Sequence, residues 1–346
     1  MPRSSQPIHI LGLGSIGSFI AHAIRALPNP PAVRLLVHRK NLYDEFASKG
    51  WKLGLRVGED GPLDEQGGFD AELLTPSSSE PIHHLIVAVK ASATVSALQP
   101  IQHRLGPQST VCLFQNGLGQ IEDLNERIFI DSSRRPTYMF GIMRHGVYLR
   151  SPTEAILSGR GGRAAIGVVD AQPPAAQNAD PQFLLETLLQ SPILRCEELA
   201  WADLLHDQLF KLAANCVLNP LTALLDVRNG VIKANPDLQP LIRRLLAEIS
   251  QVFQNLPELR DLSADQRDRF SVPSLEAVVM DTIEKTAGNS SSMREDVRKG
   301  RATEIEYING WILRRGSELG IECPVNLNLT QLVLAKSRLT TAQGTG

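Results

Sequence analysis

Lys211, Asn215 and Asn219 recur four residues apart in the otherwise apolar stretch Phe210-Lys-Leu-Ala-Ala-Asn-Cys-Val-Leu-Asn-Pro-Leu-Thr-Ala-Leu. On a helix that spacing puts one amine and two amides on the same face. Asparagine is a poor residue for a helix interior, and a buried amide without partners costs about 1–3 kcal/mol. Such a row either bonds to neighbouring helices in the core or forms a polar wall that meets a polar ligand.

A second group of residues lies near the N-terminus. Gly12-Leu13-Gly14-Ser15-Ile16-Gly17 follows an apolar strand-like run, Ile8 to Leu13, and opens a helical stretch, Ser15 to Leu27. In that context GxGxxG predicts a dinucleotide site. The glycines allow a tight turn, close approach of a pyrophosphate and close helix packing, and the helix start offers free amides to phosphate. After the next strand, Val33 to Val37, come His38-Arg39-Lys40, with no acid before Asp44. An arginine there suits the 2′-phosphate of NADP, where an acid would bind the ribose hydroxyl of NAD. NADPH is therefore the expected cofactor.

Two further strand ends carry polar residues. Lys90 ends the run His84 to Val89, and Asn116-Gly117 follow Val111 to Gln115. Both fall at the carboxyl edge, where open α/β sheets place ligands. Near the C-terminus, Ser292 with Glu295 and Thr303 with Glu306 read as capping boxes, which would put Glu304 in a first helical turn.

The elements that must position these residues alternate strand and helix up to about Glu197. Beyond that they turn uniformly helical: Leu199 to Leu218, Pro240 to Asn255, Val272 to Ala287 and Ile305 to Leu319. The expected architecture is an α/β Rossmann-type dinucleotide-binding domain over 1–197, then an all-α domain over 198–338, with a disordered tail at 339–346. Residues 137–169 are expected to add antiparallel strands to the sheet, and Ala171 to Pro181 to form a surface loop.

Composition narrows the classes further. With 42% hydrophobic and 21% charged residues and a net charge of -2, the chain shows no basic stripe for nucleic acid. No apolar run reaches the ~18 residues that cross a bilayer. The four cysteines, Cys112, Cys196, Cys216 and Cys323, stand far apart with no metal-ligand spacing, so reduced thiols and no metal are expected. Only a few residues precede the first strand, so no targeting signal is expected and the location is read as cytoplasmic, with mitochondrial as the alternative.

Taken in order, these blocks resemble the ketopantoate reductase (2-dehydropantoate 2-reductase) family over nearly the whole chain. GLGSIG at 12–17, HR at 38–39, VKA at 89–91, QNG at 115–117, KLAANCVLNPLTAL at 211–224, RNG at 228–230, SSMREDV at 291–297 and TEIEYINGWI at 303–312 occur in family order. The resemblance implies NADPH-dependent reduction of 2-dehydropantoate to (R)-pantoate in pantothenate and coenzyme A biosynthesis, with the active site in a cleft between the two domains. It implies that Lys211 is the general acid at the ketone oxygen, and that Glu304 engages the substrate hydroxyl and orients Lys211. Asn215, Asn219 and Asn229 would contact substrate polar groups, and Ser292 the carboxylate. Asn116 would lie between nicotinamide and substrate, Lys90 near the cofactor ribose, and Arg39 on the 2′-phosphate. The partner is a small 2-oxo acid, and the protein a monomer or homodimer. The alternatives are a related NADPH-dependent reductase of another 2-oxo acid, or a non-catalytic NADPH-binding regulator, which would be expected to have lost Lys211 or Glu304. The chain departs from the family pattern in extra length near 54–69 and 172–181 and in the 138–148 stretch, where His145 has no assigned role. These departures bear on substrate identity.

Overall fold

The computed structural model describes residues 6–75, 78–170 and 179–343. Among them the chain divides into two compact units. One holds the chain up to Gln115 together with Gln120–Leu205, and the other holds Asn116–Gly119 and the chain from His206 on.

The first unit runs β1 (Ile8–Leu11), α1 (Ser15–Arg25), β2 (Val33–Val37), α2 (Lys40–Ser48), β3 (Leu53–Val57), β4 (Asp64–Gln66), β5 (Asp70–Leu73), β6 (His84–Val87), α3 (Thr94–Leu98), β7 (Thr110–Leu113), α4 (Gln120–Arg127), β8 (Thr137–Met143), β9 (Val147–Ser151), β10 (Glu154–Leu157), β11 (Ala164–Val168), α5 (Pro181–Leu189) and β12 (Cys196–Glu198). Eight strands form the main sheet in the order β12-β11-β8-β7-β6-β1-β2-β5. From β5 to β8 every neighbouring pair is parallel. Strands β1, β6 and β7 are buried at every residue, as expected where both faces of a parallel sheet are covered. The chain leaves β1 towards β2 on one side and later returns to β6 on the other. That makes β1 the point where strand order reverses, and such a point is where open α/β sheets bind ligands.

A second sheet, β4-β3-β10-β9, is the main departure from expectation. Strands β9 and β10 do not extend the main sheet. They pair with each other, and β10 pairs in parallel with β3, drawn from the longer Gly54–Phe69 region. The physical reason is α1, whose buried Phe19, Ile20 and Ile24 share one core with Leu53, Leu55, Ala155 and Leu157 of this small sheet as well as Ile8 and Leu35 of the main one. A helix apolar on two sides needs a layer on each. Of the 137–169 region only β8 and β11 join the main sheet, and β8 does so in parallel. Strand β5, at the far edge, has no counterpart in the sequence reading. Of the expected loop, 171–178 lie outside the described residues, and Asp180 caps α5, accepting from Phe183 N.

The helical unit contains α6 (Trp201–Leu225, whose first turn belongs to the first unit), α7 (Asn229–Ala234), α8 (Gln239–Gln254), α9 (Ala264–Asp268), α10 (Val272–Lys285), α11 (Ser292–Arg298), α12 (Asn309–Glu318) and α13 (Pro324–Gln343). Its core gathers the rings of His206, Phe210 and Phe253 around Phe270. The structure divides at Leu205/His206 where the composition changes at 197/198, because Leu199 N bonds Ile166 O and keeps that segment on β11. The expected disordered tail is corrected: α13 continues through 339–343, and only 344–346 lie outside the described residues.

Candidate active site

The GxGxxG loop joins β1 to α1 at the strand-order reversal. Gly12 has φ +102, and a Cβ there would sit 2.6 Å from Val89 N; a Cβ on Gly17 would collide with the Gly12 carbonyl. Gly14, the extended N-cap of α1, differs, because an added Cβ meets nothing within 4 Å. The space before the helix is open. Leu13, Gly14, Ser15 and Ile16 line it with backbone, and the first amides of α1 have no partner within the helix. No acid stands in the first turn to oppose an anion. These are the features a dinucleotide pyrophosphate requires, so the residues fit the cofactor.

Arg39 lies at the end of β2 as the exposed N-cap of α2. The neighbouring Lys40 is committed to Asp44 at 2.8 Å, whereas the Arg39 guanidinium has no such tie among the described residues. Lys90 is half-buried just past β6 and heads the 3-10 turn Ala91–Ala93. Gln115, to which the sequence reading gave no role, holds the ends of β6 and β7 together: its Nε2 donates to Val89 O at 2.9 Å and to Thr94 Oγ1 at 2.7 Å.

In the helical unit three distant residues meet. Lys211 Nζ donates to Asn116 Oδ1 at 2.9 Å, and Asn116 Nδ2 donates to Glu304 Oε2 at 3.2 Å. One carboxamide thus spans an ammonium and a carboxylate. Asn116 reaches this unit because Gly117 takes φ +79 and lies so close to the Tyr307 carbonyl that a Cβ would collide with it. Leu118 N then bonds Tyr307 O at 2.9 Å. Glu304, 6% exposed, precedes the 3-10 turn Ile305–Tyr307, and α12 starts only at Asn309, so the Thr303 capping box does not form.

Asn215 and Asn219 follow Lys211 along α6. Asn215 is half-buried and Asn219 buried, and neither amide side chain bonds another described residue. The polar wall therefore stands as a row of open donors and acceptors. Asn229 is buried elsewhere in the unit, its Nδ2 donating to Thr286 Oγ1 at 3.0 Å, while its Oδ1 is left as a buried acceptor. Ser292 is exposed at the start of α11, and the cap is Ser291, which accepts from Arg294 N. No hydrogen bond joins Asn229 or Ser292 to the Lys211 group among the described residues. His145 has a structural place: its ring packs on Phe19 at 5.0 Å, and burial lowers its pKa. Among the described residues no cluster of His, Cys, Asp and Glu is placed to hold a metal, and no helix is long and apolar enough to cross a membrane.

Comparison with known proteins gives the arrangement its relatives. The family model described as ketopantoate reductase PanE/ApbA matches residues 8–171, and that for the ketopantoate reductase PanE/ApbA C terminal matches 203–337. A probable 2-dehydropantoate 2-reductase of Schizosaccharomyces pombe is 29% identical over 339 residues, covering 96% of each chain. A ketoisovalerate reductase of Gibberella fujikuroi is 28% identical over 382 residues, covering 95% of this chain and 83% of its own. Among solved structures, D-mandelate dehydrogenase with NADH and anilino(oxo)acetate shares the fold at a TM-score of 0.77 and 21% identity, over 97% of this chain and 99% of that one.

Proposed function

The chain belongs to the ketopantoate reductase family, and from that premise we propose that it reduces 2-dehydropantoate to (R)-pantoate with NADPH, using Lys211 as the general acid. The observation that carries this reading is the Lys211–Asn116–Glu304 group beside an unpartnered amide row. When bound, the nicotinamide supplies a hydride to the C2 ketone.

The remaining chemistry falls to the chain itself. As the C2–H bond forms, the carbonyl pair moves onto oxygen, and a positioned ammonium both stabilises that charge and donates its proton. Asn116 Oδ1 fixes where the Lys211 ammonium points. Glu304 holds the other end of the Asn116 amide and is the acceptor for a substrate hydroxyl. Asn215 and Asn219 bond the substrate's polar groups, Asn229 Oδ1 offers an acceptor to a hydroxyl, and Ser292 takes the carboxylate. On the first unit, the amides that open α1 bind pyrophosphate, Lys90 serves the cofactor ribose, and Arg39, free of Asp44, reads the 2′-phosphate. The reaction then belongs to pantothenate and coenzyme A biosynthesis in the cytoplasm.

A second reading, reduction of another branched 2-oxo acid, is favoured by the relationship to the ketoisovalerate reductase. One assay separates the two: NADPH oxidation with ketopantoate beside 2-oxoisovalerate and pyruvate, with NADH as control. Turnover confined to ketopantoate and NADPH is expected. Preference for 2-oxoisovalerate moves the substrate to the second reading, and equal rates with NADH remove the 2′-phosphate role of Arg39.

A further inference from the structure

We propose that Asn309 is a positioning residue for the reduction, because it locks the segment that begins at Glu304 onto α6 by taking the carbonyl that Pro220 leaves without a partner. Pro220 lies inside α6. Proline has no N–H, so the helical bond that residue 220 would make to the carbonyl of Cys216 is missing. Cys216 is fully buried, so its carbonyl is cut off from bulk solvent and needs a donor from the protein. Asn309 supplies the donor: its Nδ2, in a residue with 0% exposure, lies 3.0 Å from Cys216 O and 3.0 Å from Asn326 Oδ1.

The lock continues past Asn309. Asn326 donates to Glu248 Oε2 from its side chain at 2.8 Å and from its main chain at 3.0 Å, while Glu248 Oε1 accepts Val325 N at 2.7 Å. Glu248 of α8 thereby caps α13, whose Asn326 orients the Asn309 amide. Through this chain of bonds α8 and α13 hold the Asn309 amide of α12 on a single carbonyl of α6, that of Cys216, which follows Asn215 in the chain.

Its bearing on the reaction follows from what else segment 304–309 holds. Glu304 starts it, Tyr307 O in its middle accepts Leu118 N and so anchors the Asn116 loop, and Asn309 ends it on α6. The relative placement of Lys211, Asn116 and Glu304 is therefore set through this one segment, although Asn309 touches none of the three. A misplacement of about 1 Å in such a group can cost about a hundredfold in rate.

This inference rests on the proposed reduction, and the test keeps the two apart. Asn309→Ser is expected to lower kcat roughly 10–100-fold, with NADPH binding by fluorescence and KM for the 2-oxo acid within about twofold of wild type. Adding Pro220→Ala restores an N–H facing Cys216 O, so the double variant should recover at least half of the loss on a logarithmic scale. In the cofactor-free protein, the titration of Lys211, followed by NMR of 13C-dimethylated lysines, should shift in Asn309→Ser and return in the double variant. If Asn309→Ser does not fold, Asn326→Ala takes its place; it removes the acceptor that orients the Asn309 amide together with the side-chain bond to Glu248, while leaving the Asn309 donor and the main-chain bonds to Glu248. A fall in melting temperature alone, with kcat and the Lys211 titration unmoved, would overturn the proposal, as would failure of Pro220→Ala to rescue. If the wild type reduces no 2-oxo acid, the proposed function fails, and the Lys211 titration alone decides the inference.

Discussion

At the scale of single residues, the carboxamide of Asn116 can accept from an amine and donate to a carboxylate at once, which neither aspartate nor leucine can do. Asn116→Asp should therefore lower kcat by about 10-fold or more while the protein stays folded, because it loses the donor to Glu304; steady-state kinetics beside a thermal melt would check this. Lys211→Ala should lower turnover by roughly 10²–10⁴-fold and leave NADPH binding nearly intact, and unchanged turnover would remove Lys211 from the mechanism. Arg39→Ala should weaken NADPH far more than NADH, as measured by equilibrium binding of each. Lys211 was legible in the sequence because polar residues at period four stand out in apolar text. Asn309 and Gln115 were not, since each bonds a main-chain carbonyl and a side chain of remote segments, which no spacing reveals. The one available signal was Pro220, a proline inside a helix that demands a donor from elsewhere.

Among the elements, α1 does most to organise the first unit, since it fills the core on both sides and opens from the GxGxxG loop. Phe19→Ala should cost about 3–5 kcal/mol in urea unfolding, as a large buried aromatic does. Gly117→Ala should cost activity more than stability. The new Cβ meets the Tyr307 carbonyl and pushes Asn116 away from Lys211, which a drop in kcat with little change in melting temperature would register. Strands β1, β2, β6 and β7 were readable as short apolar runs. The three-residue β4 lies in the Gly- and Asp-rich stretch to about Gly68 that reads only as short strands and turns, and the half-buried, acidic β5 is not legible at all, because short edge strands carry little buried face to pattern them. Strands β9 and β10 are legible as strands, but the sheet they join is not, since local sequence records a residue's pleat and not its partner strand.

For the whole molecule, acid sensitivity follows from histidines buried in the first unit. Burial, helped by the charges of Arg34 and Arg104 and opposed by Glu72, lowers His9 to about 4, and burial lowers His84 to about 4 as well. Unfolded, each would titrate near 6.5. Between those values the unfolded chain binds more protons, so stability is full above about pH 6.5 and lost as pH falls towards 4. With both groups titrating, the slope should approach about 2.7 kcal/mol per pH unit, read from urea midpoints across that range, and His9→Leu should flatten it. The change from alternating to helical text was legible, because packing against a sheet and within a bundle impose different periods. That a four-residue piece of the early chain belongs to the later unit was not, since nothing in Asn116–Gly119 differs from an ordinary turn. This excursion limits how the protein can be recombined. A gene cut at residue 205 and joined to another family member's first half would place Lys211 and Glu304 from one parent against an Asn-Gly turn inherited from the other. The two halves are therefore not free modules, and a productive hybrid must carry residues 116–119 along with the helices they serve.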